Sequence, residues 1–596
     1  MAALHVLYGS ATGTAQDVAE QIGRMATARN VPSVVSPLDD FPIASLPSLE
    51  HVVFVVASSG DGEAPENMTQ SWKFLLRKSL ASDSLATVRV AVFGLGDSSY
   101  AKYNAVARRL QVLEVTSGKY DNVVARLVQL GATEIIERGL GDDQHELGYH
   151  GALNPWLEKL WAVLLATEPF RLPAGFVVDD SPKMTAPIYR VSTAESGEPV
   201  VPHTFYAPPK TVLPGHNGKI LMATVTTNAR LTAADWSQDV RHLALDMSAS
   251  PVAYAPGDIA LLYPENVDTP AIDACIARFG LVRGTQLRIE RVDGQLADVP
   301  SPVSVDDLFR KYLDVFGTPR RSFFERLSLF AADDEEREKL LELASPGGKC
   351  NQLPPPLTPP QVLDDFPSCH VPMEFLLEFI PRLQPRSYSI ASAARVHPHT
   401  IELTVALVGY LTPYKRPKRG ICSAYLADLP VGTTLALWLK SGLFAPPPPA
   451  ANVLLVGPGT GVAVMRALLQ DRSAGSGENH LYFGCRHASQ DFLYESEWNL
   501  MVSNGSLASL HVAFSRDQGH KLYVQAKLAA SKATVFRVLA NGGYCFVAGS
   551  AKRMPTDVYE AIRDIVASEG QVSLKDAEKF MKTLVRQKRY VVESWS

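Results

Sequence analysis

The 596-residue chain has no uninterrupted apolar run of the ~18 residues that a membrane helix needs. The apolar stretch Ala3 to Tyr8 is not preceded by the basic segment that opens a signal peptide, so a cytoplasmic protein without a membrane anchor is expected. Cysteine is scarce. Cys275, Cys350, Cys369, Cys422, Cys485 and Cys545 form no C-x-x-C pair and have no histidine at ligand spacing, so buried reduced thiols are expected rather than a metal site. There is also no basic block that would recruit nucleic acid. What is present is ordinary globular material, 46% hydrophobic and 20% charged. At roughly 150 residues per domain the length suggests about four folding units. The net charge of -5 is unevenly placed: residues 1–165 hold 13 basic and 18 acidic side chains, and the remainder is balanced.

Residues 1–165 alternate short strands and helices, with strand candidates at Leu4 to Tyr8, Val52 to Ala57, Val88 to Phe93 and Glu134 to Glu137, the pattern of a doubly wound parallel sheet. Residues 166–218, rich in Pro, Gly, Ser and Thr, read as a linker. Residues 219–448 read as a β-barrel, its β-rich halves Lys219 to Tyr263 and Tyr388 to Leu439 split by a mostly helical insertion at about 269–379. After the Pro-rich turn at Ala445 to Pro449, residues 449–596 form a second alternating α/β pattern, with strands at Val453 to Val456, Leu481 to Phe483, His511 to Phe514 and Tyr544 to Ala548. The fold class expected is α/β multidomain.

The first strand runs into Gly9-Ser10-Ala11-Thr12-Gly13-Thr14-Ala15 and a helix, a turn that offers N–H groups and hydroxyls to a phosphate. No P-loop lysine follows Gly13, which argues against a nucleoside triphosphatase. Two more loops, Ala57-Ser58-Ser59-Gly60-Asp61-Gly62 and Gly94-Leu95-Gly96-Asp97-Ser98-Ser99-Tyr100, and the acidic Gly141-Asp142-Asp143-Gln144-His145 fall where a flavodoxin-like sheet presents its strand ends. Tyr100 is suited to lie on a flat isoalloxazine. In the barrel, Arg386-Ser387-Tyr388-Ser389 offers a guanidinium fork for a pyrophosphate, a ring for a second isoalloxazine and a hydroxyl near its reactive nitrogen. Gly420-Ile421-Cys422-Ser423 opens a helix toward the same pyrophosphate. Taken alone, each of these barrel strings is more often a structural turn. Gly457-Pro458-Gly459-Thr460-Gly461-Val462 is a dinucleotide-type turn, and Ser515 and Arg516 with Lys521, Tyr523 and Gln525 are chemically suited to a 2′-phosphate, which selects NADPH over NADH.

Taken in order, GSATGTA, GLGDSSYAKYN, GDDQHELG, RSYSIAS, GICS, GPGTGV, FSRDQGHKLYVQ and ESWS resemble the NADPH-dependent diflavin oxidoreductases, the group that includes cytochrome P450 reductase. The similarity spans nearly the whole chain and is strongest to the soluble branch that serves cytosolic iron-sulfur protein assembly. It implies three modules: a flavodoxin-like FMN domain, an FAD-binding β-barrel with a helical insertion, and a ferredoxin-reductase-type NADP-binding α/β domain. It extends the FMN residues to Ala101, Lys102, Tyr103 and Asn104, and the NADPH residues to Leu522, Val524 and Asp557. Trp595 matches a penultimate Trp that stacks on FAD until the nicotinamide displaces it. Ser389 and Glu593 match a hydroxyl and a carboxylate that assist hydride and proton movement, whereas a catalytic cysteine and a neighbouring Asp of P450 reductase fall on Ala548 and Ser550.

The acceptor implied is an anamorsin-like iron-sulfur protein. A haem protein such as a P450 is the alternative within the class, and a flavin-binding scaffold without turnover is the alternative outside it. The scaffold is motivated by Val464-Met465, which replaces the usual Pro-Phe after the glycine turn, and by an apparent insertion at Val112 to Val124 within a helix. The Pro-rich Leu353 to Pro360 stands where the family has a basic stretch, so no FAD contact is carried over there.

Overall fold

The computed structural model describes residues 3–58, 62, 64–98, 103–110, 126–173, 175–179, 184, 186–195, 197–201, 203, 220–250, 253–292, 294, 296–345, 357–411, 417–472 and 477–595. Ser59, Gly60, Asp61, Ser99, Tyr100, Ala101, Lys102 and the expected insertion at Val112 to Val124 lie outside the described residues. The chain divides into two compact units, Met1–Pro187 with Thr318–Pro372, and Ile188–Gly317 with Met373–Ser596.

In the first unit, strands β1 (Leu4–Gly9), β2 (Ser33–Pro37), β3 (His51–Ala57), β4 (Arg89–Gly96) and β5 (Thr133–Glu134) form a parallel sheet in the order β2-β1-β3-β4-β5, and β6 (Gly139–Asp142) pairs further along β4. Val52 to Val56 and Val90 to Phe93 are fully buried, as the continuous apolar runs of central strands covered on both faces require. One face is covered by helix Thr14–Ala28, through Ala15, Val18, Ala19, Ile22 and Ala26, and by helix His150–Ala166. The other is covered by Trp72, Leu75, Val106 and Leu110.

The strand expected at Glu134 to Glu137 stops at Glu134. β5 pairs with β4 through Val90, and pairing resumes with Gly139 opposite Phe93, so the four residues 135–138 face only two positions of β4 and bulge out of the ladder. Helices Arg321–Leu327, Asp334–Ala344 and Pro359–Asp365 complete the unit. The end of the Pro-rich stretch, Pro359-Pro360, opens the last of these helices behind a Thr358/Gln361 capping box.

In the second unit, β7 (Tyr189–Thr193), β11 (Gln286–Arg291) and β12 (Val303–Ser304) make a small antiparallel sheet. One expectation is therefore corrected: residues 166–218 are not a linker throughout, while β11 and β12 lie within the mostly helical insertion. These strands are too short to show against Pro- and Ser-rich flanks. Alternation is confined to Tyr189 and Val191, opposite Arg291 and Ile289, and to Leu287 and Ile289.

The barrel consists of β8 (Leu221–Arg230), β9 (Val240–Asp246), β10 (Ile259–Leu262), β13 (Arg386–Ser389), β14 (Thr400–Ala406) and β17 (Thr434–Lys440), antiparallel in the order β13-β10-β17-β8-β9-β14. A bridge between Ile390 and Leu403 brings its two edges together. β15 (Gly409–Leu411) and β16 (Pro417–Arg419) form a separate hairpin. The last sheet is parallel throughout, built of β18 (Val453–Val456), β19 (Asn479–Cys485), β20 (Ser509–Phe514), β21 (Tyr544–Ser550) and β22 (Tyr590–Trp595) in the order β20-β19-β18-β21-β22. Among the described residues, no helix is long and apolar enough to cross a membrane. Of the described cysteines, Cys485 is half-buried rather than buried as expected.

Candidate functional site

The first set of site residues sits at the carboxyl ends of β1, β3, β4 and β6, the edge where parallel sheets bind ligands. Gly13 adopts a left-handed backbone, with φ of 90°, immediately before helix Thr14–Ala28, and its N–H donates to Ser10 Oγ at 2.9 Å. Ser10 N–H in turn donates to Asn67 Oδ1 at 2.8 Å, which fixes the mouth of the turn. Ala11 and Thr12 are exposed at its tip, while Ala15 is buried beneath it.

Asn104, fully buried, donates from Nδ2 to Gly141 O at 2.8 Å and packs against Gly94 and Gly96. It thus ties the third and fourth of the sheet-end loops together. Tyr103 Oη donates to Leu140 O at 3.1 Å, and Ser58 Oγ accepts from Val106 N at 3.1 Å. Ser98 N–H donates to Asp142 at 2.8 Å, Gln144 Nε2 donates to Asp97 at 3.0 Å, and Asp143 N–H donates to Gly96 O at 2.9 Å.

In the second unit the two barrel motifs meet. Tyr388 packs against the barrel core that includes Cys422; burial, reinforced by that thiol, raises the Tyr388 hydroxyl, and burial pushes the Cys422 thiol up to about 11. Ser423 is committed to the backbone: its Oγ accepts from Val408 N at 3.1 Å and donates to Gly420 O at 3.3 Å. Arg386, exposed with Ser387, donates to Gln384 O at 2.8 Å. Ser389 Oγ donates to Glu593 Oε2 at 3.0 Å, joining the barrel strand to the C-terminal strand β22. The register of β22 sets Ala548 beside Glu593 and Ser550 beside Trp595, so both departures from the P450 reductase pattern are immediate neighbours of the expected catalytic pair.

A cavity of about 190 Å³ is lined by Pro458, Thr460, Cys485, Ser550 and Trp595. Next to the cavity-lining Thr460 the turn needs glycine: a Cβ on Gly461 would lie 2.0 Å from Ala548 O. The helix that follows starts at Val462 without a proline, and Val464 and Met465 are fully buried in the domain core. Ser515 N–H donates to Cys485 O at 2.9 Å and Arg516 N–H to Arg486 O at 2.9 Å, which holds the loop after β20 at the sheet end. Arg516, Lys521 and Tyr523 are exposed, Leu522 and Gln525 half-buried, and Val524 buried at the start of a helix. Asp557 lies 3.8 Å from Arg553 on the first turn of the next long helix.

One group was not anticipated. Arg466 is buried, donates to Glu497 at 2.7 Å and to Ala391 O at 2.8 Å, and also pairs with buried Glu402. Because Ala391 lies two residues beyond Ser389, this arginine holds the strand that carries the serine. The available signal was a lone cation inside the apolar run Val462 to Leu469.

Three family models match: Flavodoxin over residues 6–156, FAD binding domain over 213–425, and Oxidoreductase NAD-binding domain over 455–560. Proteins named NADPH-dependent diflavin oxidoreductase 1 match end to end. The one from Bos taurus is 39% identical, covering 100% of both chains. Those from Arabidopsis thaliana and Schizosaccharomyces pombe are 36% and 34% identical, each covering at least 99% of both chains.

The chain belongs to the NADPH-dependent diflavin oxidoreductase 1 family.

As a diflavin oxidoreductase it uses FMN, FAD and NADPH, and it hands electrons to an acceptor. The geometry fits all three cofactors. The Gly13 turn leaves its tip open, Tyr388 and Cys422 bring the two barrel motifs together, and the 190 Å³ cavity ends on Trp595. Arg516 and Lys521 form no ion pair among the described residues, which leaves both cations for a phosphate. Membership of an oxidoreductase family sets aside the scaffold without turnover.

Proposed function

We propose that this diflavin oxidoreductase reduces an anamorsin-like iron-sulfur protein in cytosolic iron-sulfur protein assembly. When bound, NADPH supplies an electron pair, which FAD and FMN divide into single electrons. The observation that carries the internal chemistry is the 3.0 Å hydrogen bond from Ser389 Oγ to the buried carboxylate of Glu593. Ser389 would place its hydroxyl at the flavin, and Glu593 would hold the proton of Ser389 Oγ and take it up or return it as charge moves. Trp595, on the wall of the cavity, would cover the FAD ring and give way to the nicotinamide.

Ser515, Arg516 and Lys521 would hold the 2′-phosphate, with Thr460, Leu522, Tyr523, Val524, Gln525 and Asp557 lining the rest of the nucleotide. Arg386, Ser387, Gly420, Ile421 and Cys422 would hold the FAD pyrophosphate. Ser10 to Ala15 would hold the FMN phosphate, with Ser58, Leu95 to Ser98 and Asp143 around the ring. The acceptor assignment is supported by the resemblance of the ordered motifs to the branch that serves iron-sulfur assembly.

The test is an anaerobic visible spectrum of the purified protein, with one equivalent of NADPH added first and the acceptor second. The flavin bleaches with NADPH and recovers with an anamorsin-like protein faster than with a cytochrome. The reverse order of rates assigns the chain to haem acceptors. Ser389→Ala slows bleaching at least about tenfold, the scale of a positioned proton-transfer group.

A further inference from the structure

Within the first unit, the segment that opens helix Arg321–Leu327 brings two adjacent arginines to the flavodoxin-like module. Arg320 Nη2 donates to Thr12 O at 2.5 Å, and a Cβ on Gly13 would lie 2.7 Å from that guanidinium. Arg321 is only 8% exposed, yet its Nε and Nη2 have no hydrogen-bond partner among the described residues. The helix is seated by Ser322, whose hydroxyl donates to Asp17, and by Glu325, 3.9 Å from Arg24.

Tyr149, which feels the charges of Asp17, Arg320, Arg321 and Asp143, shows that both arginines share one neighbourhood with the first helix and the acidic loop after β6. A buried guanidinium with open N–H groups costs several kcal/mol. Asp17, the carboxylate in this cluster on the first helix, accepts the Ser322 hydroxyl, and among the described residues no ion pair joins it to Arg320 or Arg321. The group still required is an anion with several acceptor oxygens, and the Gly13 turn is built for a phosphate.

We propose that Arg320 and Arg321 are ligands of the FMN 5′-phosphate. The phosphate site is then shared between the flavodoxin-like module and the helical insertion, and the cofactor fastens the two together. This rests on the assignment of FMN to the Gly13 turn. Arg320 marks the open face of the turn with its grip on Thr12 O, and its planar fork suits a bidentate contact with a phosphate dianion.

The full-length protein is stripped of FMN and titrated by flavin fluorescence with FMN and with riboflavin, which lacks the phosphate. Arg320→Gln and Arg321→Met each weaken FMN roughly 10- to 100-fold, the weight of one charge-assisted hydrogen bond, and leave riboflavin binding and FAD content unchanged. Arg320→Lys recovers part of the loss. Equal weakening of FMN and riboflavin, or unchanged FMN affinity in both variants, overturns the proposal. Failure of the underlying FMN assignment is separately visible, since the unsubstituted protein would then release no FMN on denaturation.

Discussion

Arg466 in the second unit and Arg321 in the first are exposed to nearly the same small extent, 7% and 8%, but they are surrounded differently. Arg466 has two carboxylates and a carbonyl. Arg321 has two nitrogens with no acceptor among the described residues. A buried charge met by the chain itself belongs to the scaffold, whereas one left unmet indicates where the chain relies on something it does not encode.

The sharpest way to break this comparison is to remove Arg466. Arg466→Met leaves Glu402 buried without its cation and is expected to cost roughly 3–5 kcal/mol in denaturant unfolding. The double variant Arg466→Met, Glu402→Leu recovers most of that, and a single variant as stable as the parent would show that the network contributes little.

His150 provides an intermediate effect in the first unit. Burial, and secondarily the Arg321 charge, lower it from 6.5 to about 3, so the folded state holds it neutral while the unfolded state takes a proton. Stability from this group is complete above pH 6.5 and is lost as pH falls from 6.5 toward about 3. His150→Leu flattens the difference in unfolding free energy between pH 7 and pH 5, and an unchanged slope would refute the assignment.

The smallest effect is expected from Arg321→Met in protein freed of FMN. With no partner lost and a desolvated charge removed, stability stays within about 1 kcal/mol of the parent or rises. A loss as large as that for Arg466→Met would erase the distinction. The same variant moves the His150 titration upward, because the charge that helps to lower it has gone.

Much of this was legible before any coordinates. The long parallel strands announce themselves because strands covered on both faces must be apolar throughout, and the glycine turns at their ends gain weight from recurring in order. Ser389 and Glu593, 204 positions apart, were paired only through the resemblance, and the structure brings them to 3.0 Å. Other features were hidden. The five residues of β7 lie among Pro and Ser, where alternation over so short a span carries little signal. Asn104 read as a flavin contact because of its motif, and that its side chain also joins two loops was not legible.

The amino-acid order by itself determined the alternating modules and the positions of the nucleotide turns, because hydrophobic period and glycine placement are local properties, and its ordered motifs implied the cofactor set through their resemblance to a family. Only the tertiary structure decided which charges find partners. Whether Arg466 or Arg321 is satisfied depends on residues that are remote in the chain and meet by packing, and the cost of burying a charge is set by that final environment.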